Sequence, residues 1–533
     1  MRHCPNLAPA KPYLKLPSSI TQPFQWPLLL LFGWKLWLLW QFKFPIEDLW
    51  HQQQLAVNHL HGFPLAYLHA HPSDLAAWST EAPYRWPPLL GALLALLAPL
   101  TGSVHKATLL TDALALLLLL GAVRSLVVHL QLKPLLQWWV WLLLACNPVL
   151  TDLLSTSDLL AAAFALAAMA LHLQLHQQHQ RSSRQIALLV VLTFLPAAFR
   201  YQYYPLIFIV PAWLLWQSYQ AGAKTAMRFN GGVLLATALL LLAQVLILRS
   251  FSGTVAHVPD VPGFSPQNLA RISPFFLFSL APFYLYLNLL AGADVNSARM
   301  LYSIAGGMSM AGFIGFLWLL KRPASDARHQ LFRSTALVWT GGLLVLLAAL
   351  SVRYQLQVHG NTTFTYVQDT RYWAVVLVLL PLLLMSWLQQ QGPLYKSRLW
   401  LAVSLLLLGA APLAYRTYKT LFKNEVPQPY LLRLQPKERI AAAVDRLQAL
   451  EQRPVVLSCY DADMAQYNWP GGASATVGPD TLLQQPQLRA AQPVWLLLIT
   501  RDVPEARDSI LIQRFNLQLH EVVPGRCRIY QNQ

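Results

Sequence analysis

The hydrophobic pattern of the chain is one of long apolar segments separated by short polar loops. Runs such as Val233–Leu248, Leu343–Leu350 and Ala374–Met385 lie inside stretches that are almost free of charge. An α-helix needs about 20 apolar residues to cross a bilayer. The pattern therefore predicts a mostly α polytopic membrane protein, built as a helical bundle.

Eleven spans are predicted, and the distribution of lysine and arginine orients them. Arg124 with Lys133, Arg181 with Arg184, and Lys224 with Arg228 all fall in loops on one side, which the positive-inside rule makes cytoplasmic. The predicted spans are Trp26–Phe44, Ala107–Val128, Pro134–Leu150, Leu159–Leu175, Ile186–Phe199, Pro205–Tyr219, Gly231–Leu248, Met300–Leu320, Leu331–Val352, Trp373–Leu388 and Leu399–Tyr415.

Two apolar segments are excluded from that count. Leu89–Leu100 is too short to span, and Ile272–Leu290 contains two prolines. Counting either as a span would move later basic clusters to the outside. We expect the first to be a non-spanning helix at the end of the first external loop, and the second to be an interfacial or broken element.

Composition and charge divide the chain into three parts. Of the 533 residues 56% are hydrophobic and only 11% are charged, and the net charge is +17. Residues 425–533 hold equal numbers of acids and bases, so the whole excess belongs to the part before them. We predict a cytoplasmic tail at 1–25, a membrane domain at 26–424 with its first external loop at 44–106, and a small external α/β domain at 425–533. The basic excess suits topology signals and anionic membrane lipids, and no nucleic-acid-binding patch stands out.

The first external loop holds the most concentrated polar chemistry. Glu47 and Asp48 open a predicted helix over Ile46–Leu60, and the loop ends in Tyr84-Arg85-Trp86-Pro87-Pro88. Acids at a helix start are favoured by the helix dipole alone, while the functional interpretation is a general base. We expect this helix to lie on the outer leaflet. Its apolar face would consist of Ile46, Leu49, Ala56, Val57 and Leu60, while Glu47, His51 and Gln54 would point elsewhere.

Further charged residues fall on the same predicted face. Asp158 begins an apolar helix after the external turn that also contains Asp152. Arg200-Tyr201 follows the fifth span and Arg371-Tyr372 opens the tenth. Arginine at a helix end often reaches the interface without a specific role, but arginine is also the preferred bidentate ligand of phosphate.

Three motifs in this order resemble the amino-terminal module of the GT-C membrane glycosyltransferases. They are PIEDLWHQQQLAVNHLHGFPL, YRWPPLLGALLALLAPL and NPVLTDLLSTSDLLAAAFALAAMAL, within residues 26–210. That superfamily includes protein O-mannosyltransferases, aminoarabinose transferases and GPI-anchor mannosyltransferases. The sequence departs from the family pattern in the order of Glu47-Asp48 and in Trp86.

The resemblance implies an inverting hexosyl- or pentosyltransferase that uses a polyprenyl-phosphate-linked sugar at the external face of a bacterial inner membrane. Asp48 would be the catalytic base, with Glu47 as its alternative and Asp158 as the second acid. Tyr84, Arg85, Arg200, Tyr201 and Arg371 would bind the donor and its phosphate. The acceptor would be a lipid, a glycan or a protein. A divalent metal, Mg²⁺ or Mn²⁺, bridging Asp48, Asp158 and the phosphate is an open option.

The sequence leaves several alternatives open. A transporter or flippase of lipid-linked sugars would place more charges within the spans, and an assembly protein would leave the acids of the outer face unexplained. Asp461-Ala462-Asp463 matches a short metal-nucleotide motif but is interpreted as a loop. Cys459 and Cys527 are either paired or two separate thiols.

Overall fold

The computed structural model describes the two helical regions of the chain, a hairpin of the first loop and most strands near the carboxyl end. The described residues are 33, 47–71, 73–81, 87–145, 156–178, 180–251, 326–353, 356–358, 362–364, 370–390, 455–459, 474–485, 494–501, 504–523 and 527–532. Several predicted features lie outside them: the first span, the segments at 272–290, 300–320 and 399–415, Asp152 and the Asp461-Ala462-Asp463 motif.

The membrane part consists of apolar helices near most of the predicted positions. In chain order they are α1 (Glu47–Leu60), α2 (Leu89–Thr101), α3 (Val104–His129), α4 (Pro134–Ala145), α5 (Thr156–Gln177), α6 (Ser183–Phe199), α7 (Tyr203–Leu206), α8 (Ile209–Gln220), α9 (Lys224–Phe251), α10 (Ala327–Arg353) and α11 (Ala374–Gln389). Among the described residues, four helices (in α3, α5, α9 and α10) are long and apolar enough to cross a bilayer. The chain is therefore a multi-pass membrane protein with a mostly helical fold.

α2 is too short to span a bilayer, as predicted, and a glycine ends it. It has 13 residues, and Gly102 follows it in the left-handed conformation with φ +83°. The N–H of Gly102 donates to the carbonyl of Ala98, which closes the last turn. Glycine adopts this conformation at little cost, so the helix stops here and α3 begins two residues later.

The expectation that α1 buries one apolar face and turns Gln54 away from it is wrong, whereas its location on the outer leaflet stays a prediction. Leu49, Ala56 and Val57 are buried as predicted, but Gln54 is also buried and Leu60 is 45% exposed. α1 packs against α2 and α3, so its polar side is covered by protein. The cause is hydrogen bonding: Gln53 Nε2 donates to Thr108 Oγ1 at 3.0 Å, which lets an amide enter the interior.

A seven-stranded sheet joins the first loop to the carboxyl-terminal region. Its strands are β1 (Tyr67–His71), β2 (Asp74–Glu81), β5 (Val455–Cys459), β6 (Ser474–Val477), β7 (Trp495–Arg501), β8 (Gln518–Val523) and β9 (Cys527–Gln531), in the order β2-β1-β6-β5-β7-β9-β8. β5, β6 and β7 are parallel, and β8 and β9 add antiparallel strands at one edge. Two short helices, α12 (Pro479–Leu483) and α13 (Ala506–Arg514), accompany this sheet.

The hairpin of β1 and β2 belongs to the first loop, yet it extends this sheet. β1 runs parallel to β6, with His69 opposite Thr476. Leu68 and Leu75 of the hairpin lie in the same apolar cluster as Val456 and Leu498. The first loop and the carboxyl-terminal strands therefore share one hydrophobic core.

The sheet also answers the question left open about the cysteines. Cys459 pairs with Ile499 of β7, and Cys527 pairs with Arg501 on the other side of the same strand. Two strands that flank a third lie about 9.5 Å apart, whereas a disulfide needs Cα atoms within about 7 Å. Cys459 and Cys527 are therefore not a disulfide pair in this fold.

A second, two-stranded sheet follows α10 and was not predicted. It consists of β3 (Leu356–Val358) and β4 (Thr362–Phe364), which pair antiparallel. A 3₁₀ turn over Thr370–Trp373 then leads directly into α11. Trp373 is fully buried in the hydrophobic core of the helical bundle, which fixes the start of that helix.

Gly91 allows α1 and α2 to cross closely, and replacing it with alanine should separate them. A Cβ at Gly91 would lie 2.9 Å from Cβ of Leu55 and 3.2 Å from the carbonyl oxygen of Gln52. Overpacking of this kind costs about 1–3 kcal/mol. We expect Gly91→Ala to lower the thermal unfolding midpoint in detergent. Gly121→Ala is the control, because its Cβ would meet nothing within 4 Å; equal midpoints for the two variants would contradict the close crossing.

The pairing of the first loop with the carboxyl-terminal strands predicts a cross-link. His69 and Thr476 lie opposite each other on adjacent strands, so His69→Cys with Thr476→Cys should form a disulfide under mild oxidation. Ser79→Cys with Thr476→Cys is the control, because Ser79 lies on β2, on the far side of β1. Cleavage between the two segments followed by non-reducing electrophoresis would detect the bond. Separation of the fragments in the first variant would contradict the shared sheet.

Candidate active site

The centre of the candidate site is a buried ion pair between Asp158 and Arg200. The Oδ1 atom of Asp158 lies 2.6 Å from a terminal nitrogen of Arg200, and the two side chains are 1% and 5% exposed. Both residues were predicted for the site from separate parts of the sequence. The fold brings them into direct contact.

Local structure explains how each partner reaches this position. Asp158 lies in the first turn of α5, where the helix dipole favours a negative charge. Arg200 is the residue that ends α6, and its backbone N–H donates to the carbonyl of Pro196 at 3.0 Å. Phe164 of α5 stacks on Phe199 of α6 at 5.7 Å between ring centroids, which aligns the two helix ends. The pair is thus held by the start of one helix and the end of the next.

One tyrosine on the chain that follows Arg200 lies close to the ion pair, and two more are its neighbours in sequence. Tyr203 is buried, and its backbone N–H donates to the carbonyl of Arg200. Burial, and then the negative charge of Asp158, raise the pKa of the Tyr203 phenol, so it stays protonated. Tyr201 packs edge-on against Tyr204 at 5.3 Å. Protonated hydroxyls next to an ion pair suit the binding of an oxygen-rich ligand.

The two acids of the first loop occupy the start of α1. Glu47 and Asp48 are its first two residues, so they lie at the positive end of the helix dipole. Below them Gln52, Gln53 and Gln54 are all buried. Sequence reasoning missed these amides as interior residues, although three consecutive glutamines one turn after an acidic pair are a visible signal.

The structure describes the other predicted site residues only in part. Arg371 lies in the 3₁₀ turn before α11, and its backbone alone is described. Tyr84 and Arg85 lie outside the described residues, between the end of β2 and the start of α2.

The described part of the chain contains no set of ligands for the predicted metal ion. No group of three His, Cys, Asp or Glu side chains there could hold a metal ion. Asp158 in addition shares its charge with Arg200, which competes with a cation for the same oxygen. A metal bridging Asp48 and Asp158 stays a prediction, and no step below depends on it.

The fold is that of a multi-pass membrane protein, and it is similar to the fold of ArnT. Two solved structures of ArnT from Cupriavidus metallidurans superpose on it, one bound to undecaprenyl phosphate and one in the apo state. They are 13% and 14% identical to this chain, with a TM-score of 0.52 in each case. The superposition covers 96% of this chain and 97% or 98% of the ArnT chain. No family model and no curated protein sequence matches.

The GT-C resemblance predicted from three short motifs is therefore confirmed at the level of the fold. At this identity the likeness defines the architecture alone. The agreement extends over nearly the whole chain, well beyond residues 26–210 that carry the motifs. The similarity includes regions in which the sequence alone gave no family signal.

The ion pair predicts a strong coupling between its two members. Removing one partner of a buried pair leaves the other charge uncompensated, at a cost of about 3–5 kcal/mol. We expect Asp158→Asn and Arg200→Gln each to lower the unfolding midpoint sharply, and the double variant to lose less than the sum of the two. Thermal unfolding of the four proteins gives the coupling as a double-mutant cycle. Additive losses would contradict the direct contact.

Proposed function

We propose that this protein is a membrane glycosyltransferase that moves a sugar from a polyprenyl-phosphate-linked donor to an acceptor at the external face. The observation that carries the proposal is the buried Asp158–Arg200 pair, which lies beside Tyr203 where α5 begins and α6 ends, in an ArnT-like fold. One of the ArnT structures is bound to undecaprenyl phosphate, which suggests the lipid class of the donor.

Asp48 is the proposed general base. It would take the proton from an acceptor hydroxyl as the oxygen attacks the anomeric carbon of the donor sugar. Attack from the face opposite the departing phosphate would invert the configuration. The carbon–oxygen bond to the lipid phosphate breaks, and its electron pair leaves with the polyprenyl phosphate. The first helical turn of α1 suits this role because the helix dipole favours the ionised carboxylate.

Arginine would stabilise the charge that develops on the departing phosphate. Arg85 and Arg371 are the proposed direct ligands, since arginine binds phosphate through paired N–H groups. Arg200 is oriented by Asp158. A guanidinium has five N–H donors, so contact with one carboxylate is compatible with a second anionic partner. Asp158 would thus serve mainly to fix Arg200, and Tyr201 would lie beside the phosphate.

The base assignment predicts a large loss of transfer in Asp48→Asn. General base catalysis contributes about 10²–10⁴-fold to the rate, so we expect transfer to fall by a factor in that range. The measurement supplies membranes that contain the protein with a panel of undecaprenyl-phosphate-linked labelled sugars, and follows label into lipid, glycan and protein. Asp74→Asn is the matched control, because Asp74 belongs to the same loop but is exposed at the tip of the β1–β2 hairpin.

The same assay separates the alternatives. Glu47→Gln should retain transfer if Asp48 is the base, and a reversed result would assign the role to Glu47. Full transfer by a correctly inserted Asp48→Asn protein would refute catalysis by this residue. Movement of labelled lipid across the membrane without any transfer, in the wild-type protein, would favour a flippase instead.

A further inference from the structure

Two helices, α6 and α9, begin side by side at the end of the bundle opposite the Asp158–Arg200 pair. α6 starts at Ser183 and ends at Phe199, next to Arg200, so its first turn lies a whole helix length from the pair. An apolar cluster joins the starts of α6 and α9 to the end of α5; its buried members are Leu175, Leu189, Phe229 and Val233. The first turns of α6 and α9 therefore lie close together.

The side chains at these two helix starts are basic. Arg184 lies in the first turn of α6, Lys224 is the first residue of α9, and Arg228 follows one turn later. All three side chains are exposed. Neither helix has an acid in its first turn, and the sequence contains no acid between Asp158 and Asp260. Because a helix start itself carries partial positive charge, these cations add to the helix dipoles and favour the approach of an anion.

Arg181 adds a fourth cation and ties it to α9. Its guanidinium carbon lies 4.2 Å from the ring centroid of Phe229, and two of its N–H groups donate to carbonyls in the last turn of α5. Among the described residues, none of these four cations forms an ion pair. Asp326 belongs to the same end of the bundle, but it accepts from the backbone N–H of Arg328 and so caps α10. The positive charge at the starts of α6 and α9 thus lacks a described counter-charge.

Exposed apolar side chains continue from these cations along both helices. On α6, Leu188 and Val191 follow Arg184 at helical spacing and are 52% and 46% exposed. On α9, the face that begins with Arg228 continues through leucines that are more than half exposed: Leu235, Leu239, Leu242 and Leu246. Residues at these spacings share one face of a helix. Each helix therefore presents a cationic head followed by an apolar stripe.

An aromatic pair indicates where lipid headgroups begin at this end. Trp216 and Tyr219 lie near the end of α8, are 54% and 61% exposed, and have ring centroids 6.0 Å apart. Exposed tryptophan and tyrosine are typical of the membrane–water interface. The chain reverses at Gly222, where φ is +65°, and α9 then runs back beside α8. Arg228 therefore returns to about the depth of the aromatic pair, which is the depth of phosphate groups.

We propose that the starts of α6 and α9 bind an anionic phospholipid, with Arg184, Lys224 and Arg228 holding its phosphate and the apolar stripes contacting its acyl chains. Arginine binds phosphate through paired N–H groups, and basic pockets between membrane helices bind such headgroups. The combination of cations with an apolar stripe favours a lipid over free phosphate. The net positive charge favours an anionic lipid over a zwitterionic one. The site lies at the end remote from the Asp158–Arg200 pair, so the proposal is independent of the proposed function.

Binding of dioctanoylphosphatidylglycerol to the delipidated full-length protein in detergent tests the site. Native mass spectrometry counts the bound lipid and gives its affinity, and dioctanoylphosphatidylcholine is the zwitterionic comparison. A basic residue near an anionic lipid surface contributes a factor of about five to affinity. We expect the triple variant with Arg184→Gln, Lys224→Gln and Arg228→Gln to bind the anionic lipid on the order of 100-fold more weakly than wild type.

The matched control removes three cations from other helices at the same end of the bundle. Arg124→Gln, Lys133→Gln and Arg328→Gln together give the same net charge as the triple variant, and this protein should bind like wild type. Single variants keep the test valid if a triple variant does not insert. Arg228→Gln should weaken binding about fivefold, and Arg228→Lys, which keeps the charge, should weaken it less.

Three outcomes would overturn the inference. An equal loss of affinity in the control variant would show that net charge alone attracts the lipid. Equal affinity of the wild-type protein for the zwitterionic lipid would remove the role of the cations. Displacement of the anionic lipid by inorganic phosphate at the same concentration would show a site for free phosphate instead of a lipid. Selective binding that is lost only when Arg184, Lys224 and Arg228 are replaced would uphold the site.

Discussion

The Asp158–Arg200 pair is the interaction on which the arrangement of the site depends. Two full charges, 1% and 5% exposed, survive in an apolar bundle only because each lies against the other. Their contact requires the start of α5 and the end of α6 to stay together, and the stacking of Phe164 on Phe199 meets that requirement. The pair thus fixes the start of α5 relative to the end of α6 and, through Tyr203, the position of the chain that follows.

Hydrogen bonds between neutral side chains hold other helices of the bundle together. Helices in a bilayer gain little from apolar contact with each other, so interhelical hydrogen bonds contribute to their specificity. Asn230 of α9 contacts His172 of α5 at 2.8 Å and donates to Ser218 of α8 at 3.0 Å. Further along the chain, His329 of α10 lies 2.6 Å from the hydroxyl of Ser386 in α11. These contacts position the helices that carry the site without taking part in it.

Much of this fold could be predicted from the hydrophobic pattern, and the reasons for the misses are physical. Span-length apolar runs leave little choice but a helix, and the short run before Gly102 predicted a helix that stops. The burial of Gln54 was missed because an amphipathic pattern treats amides as surface residues, whereas partners distant in sequence bring amides such as Gln53 inside. Asp158 and Arg200 were each selected as site residues, but their contact depends on α5 and α6 packing in register, which no local pattern encodes.

The sheet restrains the first loop. Between α1, which carries Asp48, and α2, which follows Arg85, the chain crosses to the carboxyl-terminal strands and returns as the β1–β2 hairpin. Both ends of the loop are therefore restrained: at α1 by the crossing at Gly91, and along the hairpin by pairing with β6. A loop of this length would otherwise lose much conformational entropy when it binds a ligand. Because the hairpin is paired within the sheet, that part of the loop pays its entropy cost during folding, before any substrate arrives.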